Sequence, residues 1–414
     1  MDKRIVITGA GVLASNGIGL RAFAGSLKNG VSGIKPVTLF DTSTTKSKLA
    51  GEISDFDPAS ILGKKGLRNL DRTTLLAMAA SKLAIDDAGL SDPIGEDVTD
   101  QVGVSLGSTL GSVWSISEFD KVALREGPRA TNPALFPNTV INSPASHISI
   151  RFNIKGFNAT VSTGFCASLD AIFYALNQME LYGYHTVLAG GVEELCEQTY
   201  KGFHKIGYLA GSREGKEEVN CPFDKRRNGI ILGEGAGIFV LEELEHALER
   251  KARVYAEITG YGTSFDPKSR NICSPKAEGA SRAIKMALDD ADIMPDDIGL
   301  IFSTANSTLD CDVMEARAIR KVFGDRTDTL PVTNIKPLVG ETFSASGAMN
   351  IAAALVGTSE GFIPAIRCEV EKDKRCKLAY LTKVSDMPSG DILINDFGPT
   401  GNNSAIVMRG INAT

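Results

Sequence analysis

Three segments gather the residue types that could do chemistry. Gly156 to Ser168 reads GFNATVSTGFCAS and runs into LDAIFYALNQ. Cys221 to Gly237 reads CPFDKRRNGIILGEGAG. Then come three C-terminal turns: STANSTLDCDVMEA (Ser303 to Ala316), NIKPLVGETFSASGAMN (Asn334 to Asn350) and NDFGPTGNNSA (Asn395 to Ala405). Cys166 stands close before a helix, where the backbone dipole favours a thiolate nucleophile. The plainer reading is a small buried thiol, the usual state of free cysteine. His147, His185, His204 and His246 all lie outside these turns, and His246 falls on a charged helix. The other cysteines show no C-x-x-C or Cys/His spacing. Cys311 has only Asp310 and Asp312 beside it, so neither a metal nor a cofactor is expected. Gly9 to Gly19 reads GAGVLASNGIG, which is not the G-x-G-x-x-G of a dinucleotide loop, and a tight turn is expected there.

Short apolar strands and helices must position these segments. Arg4 to Thr8, Val102 to Leu106, Thr186 to Ala189 and Gly237 to Leu241 read as strands. Leu75 to Ala88, Ala171 to Tyr182 and Glu242 to Lys251 read as helices. Buried-type strands alternating with helices predict an α/β fold with covered sheets. The chain also echoes itself. Ala84-Ile85-Asp86-Asp87-Ala88, a loop and Val102 to Thr109 are matched by Ala287-Leu288-Asp289-Asp290-Ala291, a loop and Ile298 to Thr304. Ile5-Val6-Ile7-Thr8-Gly9 is matched by Ala256-Glu257-Ile258-Thr259-Gly260. Two homologous halves follow, 1–253 and 254–414, with a seam near Lys251 to Arg253.

Composition narrows the function classes. The 414 residues carry 44 basic and 50 acidic side chains, a net charge of −6, which leaves no basic excess for nucleic-acid phosphates. A 43% hydrophobic content argues against disorder. No apolar run of about 18 residues suits a membrane span. Seven cysteines are too few, and odd in number, for a disulfide scaffold. MDKRIVITGAG begins a strand at once without a signal-peptide pattern, so a cytoplasmic protein with reduced thiols is expected.

Together the three segments resemble the β-ketoacyl synthase (ketosynthase) family of fatty acid and polyketide synthesis. PFD followed by GEGAG, IKPLVGE and DFGPTGNN carry the resemblance, which spans essentially the whole chain. It implies a thiolase-like fold, an αβαβα layering of two similar halves, working as a tight dimer. An active member uses a cysteine nucleophile and two histidines that stabilise the enolate formed on decarboxylation. In this chain the first histidine position falls on Thr304, counted back from Met314-Glu315-Ala316, and the second on Glu341. The supporting residues survive as Glu315 and Lys336. Counted from Gly156 or from Ala189-Gly190-Gly191, the nucleophile position falls on Phe165, with Cys166 as the rival. Phe165 followed by a small-residue run and Leu169-Asp170-Ala171 is similar to the chain-length-factor subunits, in which the nucleophile is replaced, commonly by Gln. Pro399 stands at the family's gating phenylalanine.

The same resemblance aligns Leu110, Val113, Trp114, Leu135 and Phe136 with an acyl-pocket wall. It aligns Lys64, Lys65, Arg68 and Arg72 with a patch that meets acyl carrier protein; Arg68 and Arg72 stand at i, i+4, and a solvated helix face is the plainer reading. Glu341 either forms an acid/base pair with Thr304 or is tied to Lys336 or backbone in a dead site. The implied function is a non-catalytic, chain-length-factor-like partner of an active ketosynthase subunit, with carrier protein as second partner and no cofactor. The alternatives are a divergent active homodimer using Cys166 and a purely structural relative.

Overall fold

A computed structural model describes residues 3–96, 98–267, 273–368 and 371–410. Its centre is the strand Ile5–Ala14, ten residues long and buried throughout. It pairs antiparallel with Gly235–Glu243 on one side and, at three positions, with Ala256–Phe265 on the other. From Ile5–Ala14 outward the order is Gly235–Glu243, Thr186–Glu193, Val102–Gly107 and Asn158–Val161. From Ala256–Phe265 outward it is Asn402–Gly410, Asp391–Phe397, Ile298–Phe302, Pro331–Thr333 and Ala379–Tyr380. The two series use the same alternation of antiparallel and parallel pairs.

The echo in the sequence is a packing repeat. A Cβ on Gly9 would stand 2.4 Å from the Ala84 carbonyl oxygen, and one on Gly11 1.9 Å from that of Ala80. In the second half, a Cβ on Gly260 would stand 2.3 Å from the Ala287 oxygen, and one on Gly262 2.1 Å from that of Ala283. Each half thus lays an Ala-rich helix, Arg72–Asp87 or Glu278–Asp290, directly on backbone. This corrects the expected tight turn: Gly9 and Gly11 lie inside a strand and serve helix contact, and the chain reverses at Ser15 and Asn16.

The middle layer is two buried helices, Ala167–Tyr182 and Ser346–Glu360. They meet through small residues: the Ser168 hydroxyl accepts from the Ala348 amide at 3.1 Å, and a Cβ on Gly347 would stand 2.5 Å from Leu169. Their apolar side chains join residues of both strand series in one core, each large one contributing roughly 1.5–3 kcal/mol. The α/β layering expected above is therefore what forms.

The expectation of reduced thiols needs correction at one place. Cys273 and Cys311 form a disulfide across 38 residues of sequence. The fold brings the segment before Glu278–Asp290 against the start of Cys311–Phe323, a proximity that linear spacing does not carry. Among the described residues, no helix is long and apolar enough to cross a membrane.

Candidate active site

The strand Asn158–Val161 leads through Gly164, whose φ of 74° suits glycine, into the 3₁₀ turn Gly164–Cys166 and then the helix Ala167–Tyr182. One residue along a helical path turns a side chain by roughly 100°, and Phe165 and Cys166 diverge accordingly. Phe165, 6% exposed, packs edge-on to Phe343 with ring centroids 5.1 Å apart. Phe343 stacks on Phe203 at 5.0 Å, and Phe203 meets Tyr208 at 5.9 Å. Leu110 packs against this cluster. Phe343 itself opens the 3₁₀ turn Phe343–Ala345 ahead of the second buried helix and holds a left-handed φ of 46°, a strained conformation for a bulky residue. The two equivalent turns of the two halves thus meet ring to ring.

Cys166 turns the other way. Its Sγ lies 2.9 Å from the Asp396 carbonyl oxygen and is fully buried. Burial, with the Asp396 and Asp170 carboxyl groups close by, pushes its thiol well above the usual cysteine range. This environment outweighs the helix dipole, and the sulfur stays protonated.

The turns that carry Thr304 and Glu341 are closed networks. Lys336 Nζ donates to Glu341 Oε2 at 2.8 Å and to the Thr304 carbonyl at 2.7 Å. Glu341 Oε1 accepts from the Phe343 amide at 3.0 Å. Both members of this ion pair are buried. The Thr304 hydroxyl donates to Asp396 Oδ1 at 2.9 Å, and its amide to Glu315 Oε1 at 2.9 Å. Asn395 Nδ2 donates to the same Glu315 oxygen at 3.1 Å. So Thr304 faces Asp396, while Glu341 faces Lys336 and backbone. Burial pushes Asp396 well above the carboxylate range and Glu315 up to about 7. Each keeps one buried oxygen without a protein partner, consistent with a neutral acid.

Asp396 was not among the sequence candidates. A carboxylate inside the apolar run Asp391–Phe397 was the available signal. Glu193 was missed too. Its carboxylate, pushed up to about 7 by burial, holds the amides of Thr109 and Leu110 and the Ser344 hydroxyl, and so positions the loop that presents Leu110.

The remaining candidates scatter. Pro399 is buried in the turn after Asp391–Phe397. Val113 opens the helix Val113–Glu126, which buries none of its residues. Trp114, Leu135 and Phe136 are 48%, 38% and 58% exposed. Lys64, Lys65 and Arg68 are exposed in a turn. Arg72 leaves that patch: its guanidinium grips Glu234 at 2.6 and 2.7 Å and the Ile53 carbonyl at 2.9 Å. The i, i+4 pairing with Arg68 does not form a helix face, because the helix begins at Arg72 behind its Asp71 cap. Cys273, Asp310 and Cys311 bring ligand-type atoms within 4.8 Å of one another, but the two sulfurs are bonded to each other.

Two repeated halves closed around two buried helices, with the site at the start of one of them, define a thiolase-like architecture. The β-ketoacyl synthase N-terminal domain model matches residues 2–247, and the C-terminal domain model residues 255–368. The chain belongs to the β-ketoacyl synthase family. It is 34% identical to the 3-oxoacyl-[acyl-carrier-protein] synthase 2 of Coxiella burnetii over 98% of both chains, and 31% identical to that of Synechocystis. Among solved structures it matches the ishigamide ketosynthase/chain length factor, with a TM-score of 0.90, 31% identity and coverage of 99% and 100% of the two chains. It also matches a chain from a type II PKS acyl-carrier protein in complex with its ketosynthase, with a TM-score of 0.89 and 26% identity.

Proposed function

We propose that this chain is a chain-length-factor-like subunit that performs no condensation itself and pairs with an active ketosynthase. Its two halves, 1–253 and 254–414, would be one duplicated unit. The observation that carries the reading is the filled site: Phe165, the residue we align with the family's nucleophile, packs against Phe343, and Lys336 ties down Glu341. A group that must accept an acyl chain and a group that must stabilise an enolate are both missing, while the scaffold around them is intact. The exposed rings of Trp114 and Phe136 support a partner surface, since they can wall a tunnel only when a second subunit covers them.

In this reading the partner supplies the cysteine and both histidines. It loads an acyl primer, decarboxylates malonyl carrier protein and joins the resulting carbanion to the acyl carbonyl, with carbon dioxide and the partner's thiolate as leaving groups. This chain limits the number of rounds by the shape it presents at the interface. Lys64, Lys65 and Arg68 offer acidic carrier protein a landing patch through local potential, despite the net charge of −6.

The test is to purify the chain alone and with a co-encoded ketosynthase, and to supply malonyl and acyl carrier protein. Elongation is expected only from the pair, with product length shifted by Trp114→Ala. Robust elongation by the chain alone, or an acyl adduct on Cys166 lost in Cys166→Ala, would overturn the reading in favour of an active homodimer. An effect on partner stability without any effect on product length would leave a structural role only.

A further inference from the structure

The wall that carries Trp114 hangs from two adjacent carboxyl groups. The helix Val113–Glu126 buries none of its own residues, so the loop that enters it is its main tie to the core. Ser112 stands at its N-cap but makes no side-chain cap bond, although serine is a favoured cap. Glu194 takes that role from across the fold: its Oε1 accepts from the Trp114 amide, in the first turn of the helix, at 3.3 Å. Glu193 holds the other end of the loop through the amides of Thr109 and Leu110, at 3.2 and 3.1 Å. Between them the Thr73 hydroxyl donates to the Gly111 carbonyl at 3.1 Å, and Gly111 turns the chain with a left-handed φ of 56°.

This loop is a strut between two places. At one end the Thr109 hydroxyl donates to the Gly164 carbonyl at 2.7 Å, in the turn that carries Phe165, and Leu110 packs in the Phe165 cluster. At the other end the Trp114 ring faces outward. A shift in the start of the helix therefore moves the indole, while the Phe165 end stays fixed by Glu193 and Gly164.

The cap is a titratable one. Glu194 is buried, and burial, then the Asp71 charge, pushes it up to about 8. The groups around it are Asp71 and Arg72 at the start of Arg72–Asp87, Glu193 before it and Cys196 after it, with His147 beside Asp71. Near neutral pH Glu194 is thus a neutral acid that accepts the amide proton through one oxygen. Above about 8 it carries a charge at a helix N-terminus, where the dipole favours an anion.

We propose that Glu194 is a positioning residue for Trp114: it caps the helix Val113–Glu126 from outside and so sets where the chain-limiting wall stands. The effect on products rests on the chain-length reading above; the contact itself does not. Trp114 is the sole tryptophan, so the emission of the full chain reports on it alone. Glu194→Leu should shift the emission maximum and raise quenching by acrylamide, while Glu194→Gln, which keeps an accepting oxygen of the same shape, should match the parent. As pH rises through about 8 the parent's emission should step, and that of Glu194→Gln should not. In the pair with an active ketosynthase, Glu194→Leu should change the ratio of longer to shorter products about fivefold, the population change that loss of one helix cap brings, and Glu194→Gln should restore the parent ratio. The proposal fails if the emission of Glu194→Leu matches the parent or if the pH step persists in Glu194→Gln, and the second result decides even where Glu194→Leu does not fold. It also fails if Glu194→Leu lowers the melting temperature and leaves the product ratio unchanged while Trp114→Ala alters it. A product length indifferent to Trp114→Ala overturns the chain-length reading instead, and the emission results then still decide the Glu194 contact.

Discussion

The buried Lys336–Glu341 pair gives a sharp test of the closed site. Its N···O distance is 2.8 Å and its two side chains are 3% and 1% exposed. At an effective dielectric of ~20 the gross attraction is about 6 kcal/mol. Loss of hydration offsets most of that, so the intact pair contributes little net stability. Removing one partner is different, because an ion is left in the interior without a counter-charge, at a cost of about 3–5 kcal/mol. Unfolding entropy scales with chain length, and for 414 residues that loss lowers the melting temperature by about 3–6 °C. Glu341→Leu and Lys336→Met should each show it by calorimetry or circular dichroism. The double variant, with two apolar side chains of similar volume, should melt above either single variant. Losses that simply add would show that the two residues are not one energetic unit. A loss below about 1 kcal/mol in Glu341→Leu would show that the Lys336 ammonium does not depend on this counter-charge.

The structure sets three further outcomes. Burial, and then the neighbouring Asp71 charge, push Glu194 from 4.5 up to about 8, so the folded chain holds a proton there that the unfolded chain releases. That stabilisation is fully present below about 4.5 and is lost as pH rises through about 8; Glu194→Gln should flatten the fall in melting temperature over this window, and parallel curves would count against it. The Cys273–Cys311 bridge closes 38 residues, worth about 4 kcal/mol by loop entropy, so reductant should lower the melting temperature of the parent and leave Cys273→Ser/Cys311→Ser unaffected. Finally, Gly11→Ala places a Cβ 1.9 Å from the Ala80 oxygen and should cost about 3 kcal/mol or more, which an unchanged unfolding midpoint would contradict.

Much of the scaffold was legible because its causes are local. The matched runs around Gly9 and Gly260 announced the repeat, although their meaning, helix laid on strand, needed Ala84 and Ala287 in place. The basic run at Arg68 and Arg72 looked like one face, but Arg72 turns inward because Glu234, 162 residues away in sequence, offers both carboxylate oxygens. Trp114 and Phe136 aligned with a pocket wall, yet in the single chain they face solvent.

What the sequence determined by itself is the stock of side chains. Thr304 and Glu341 bring no imidazole and Phe165 brings no thiol, wherever they sit. Tertiary structure alone decided which way Phe165 and Cys166 point, that Asp396 joins Thr304, and that Cys273 finds Cys311. The reason is geometric. A one-residue step turns a side chain by roughly 100°, so the choice between two adjacent side chains falls to the residues packed around them, here Phe343 and Asp396, which lie far away along the chain.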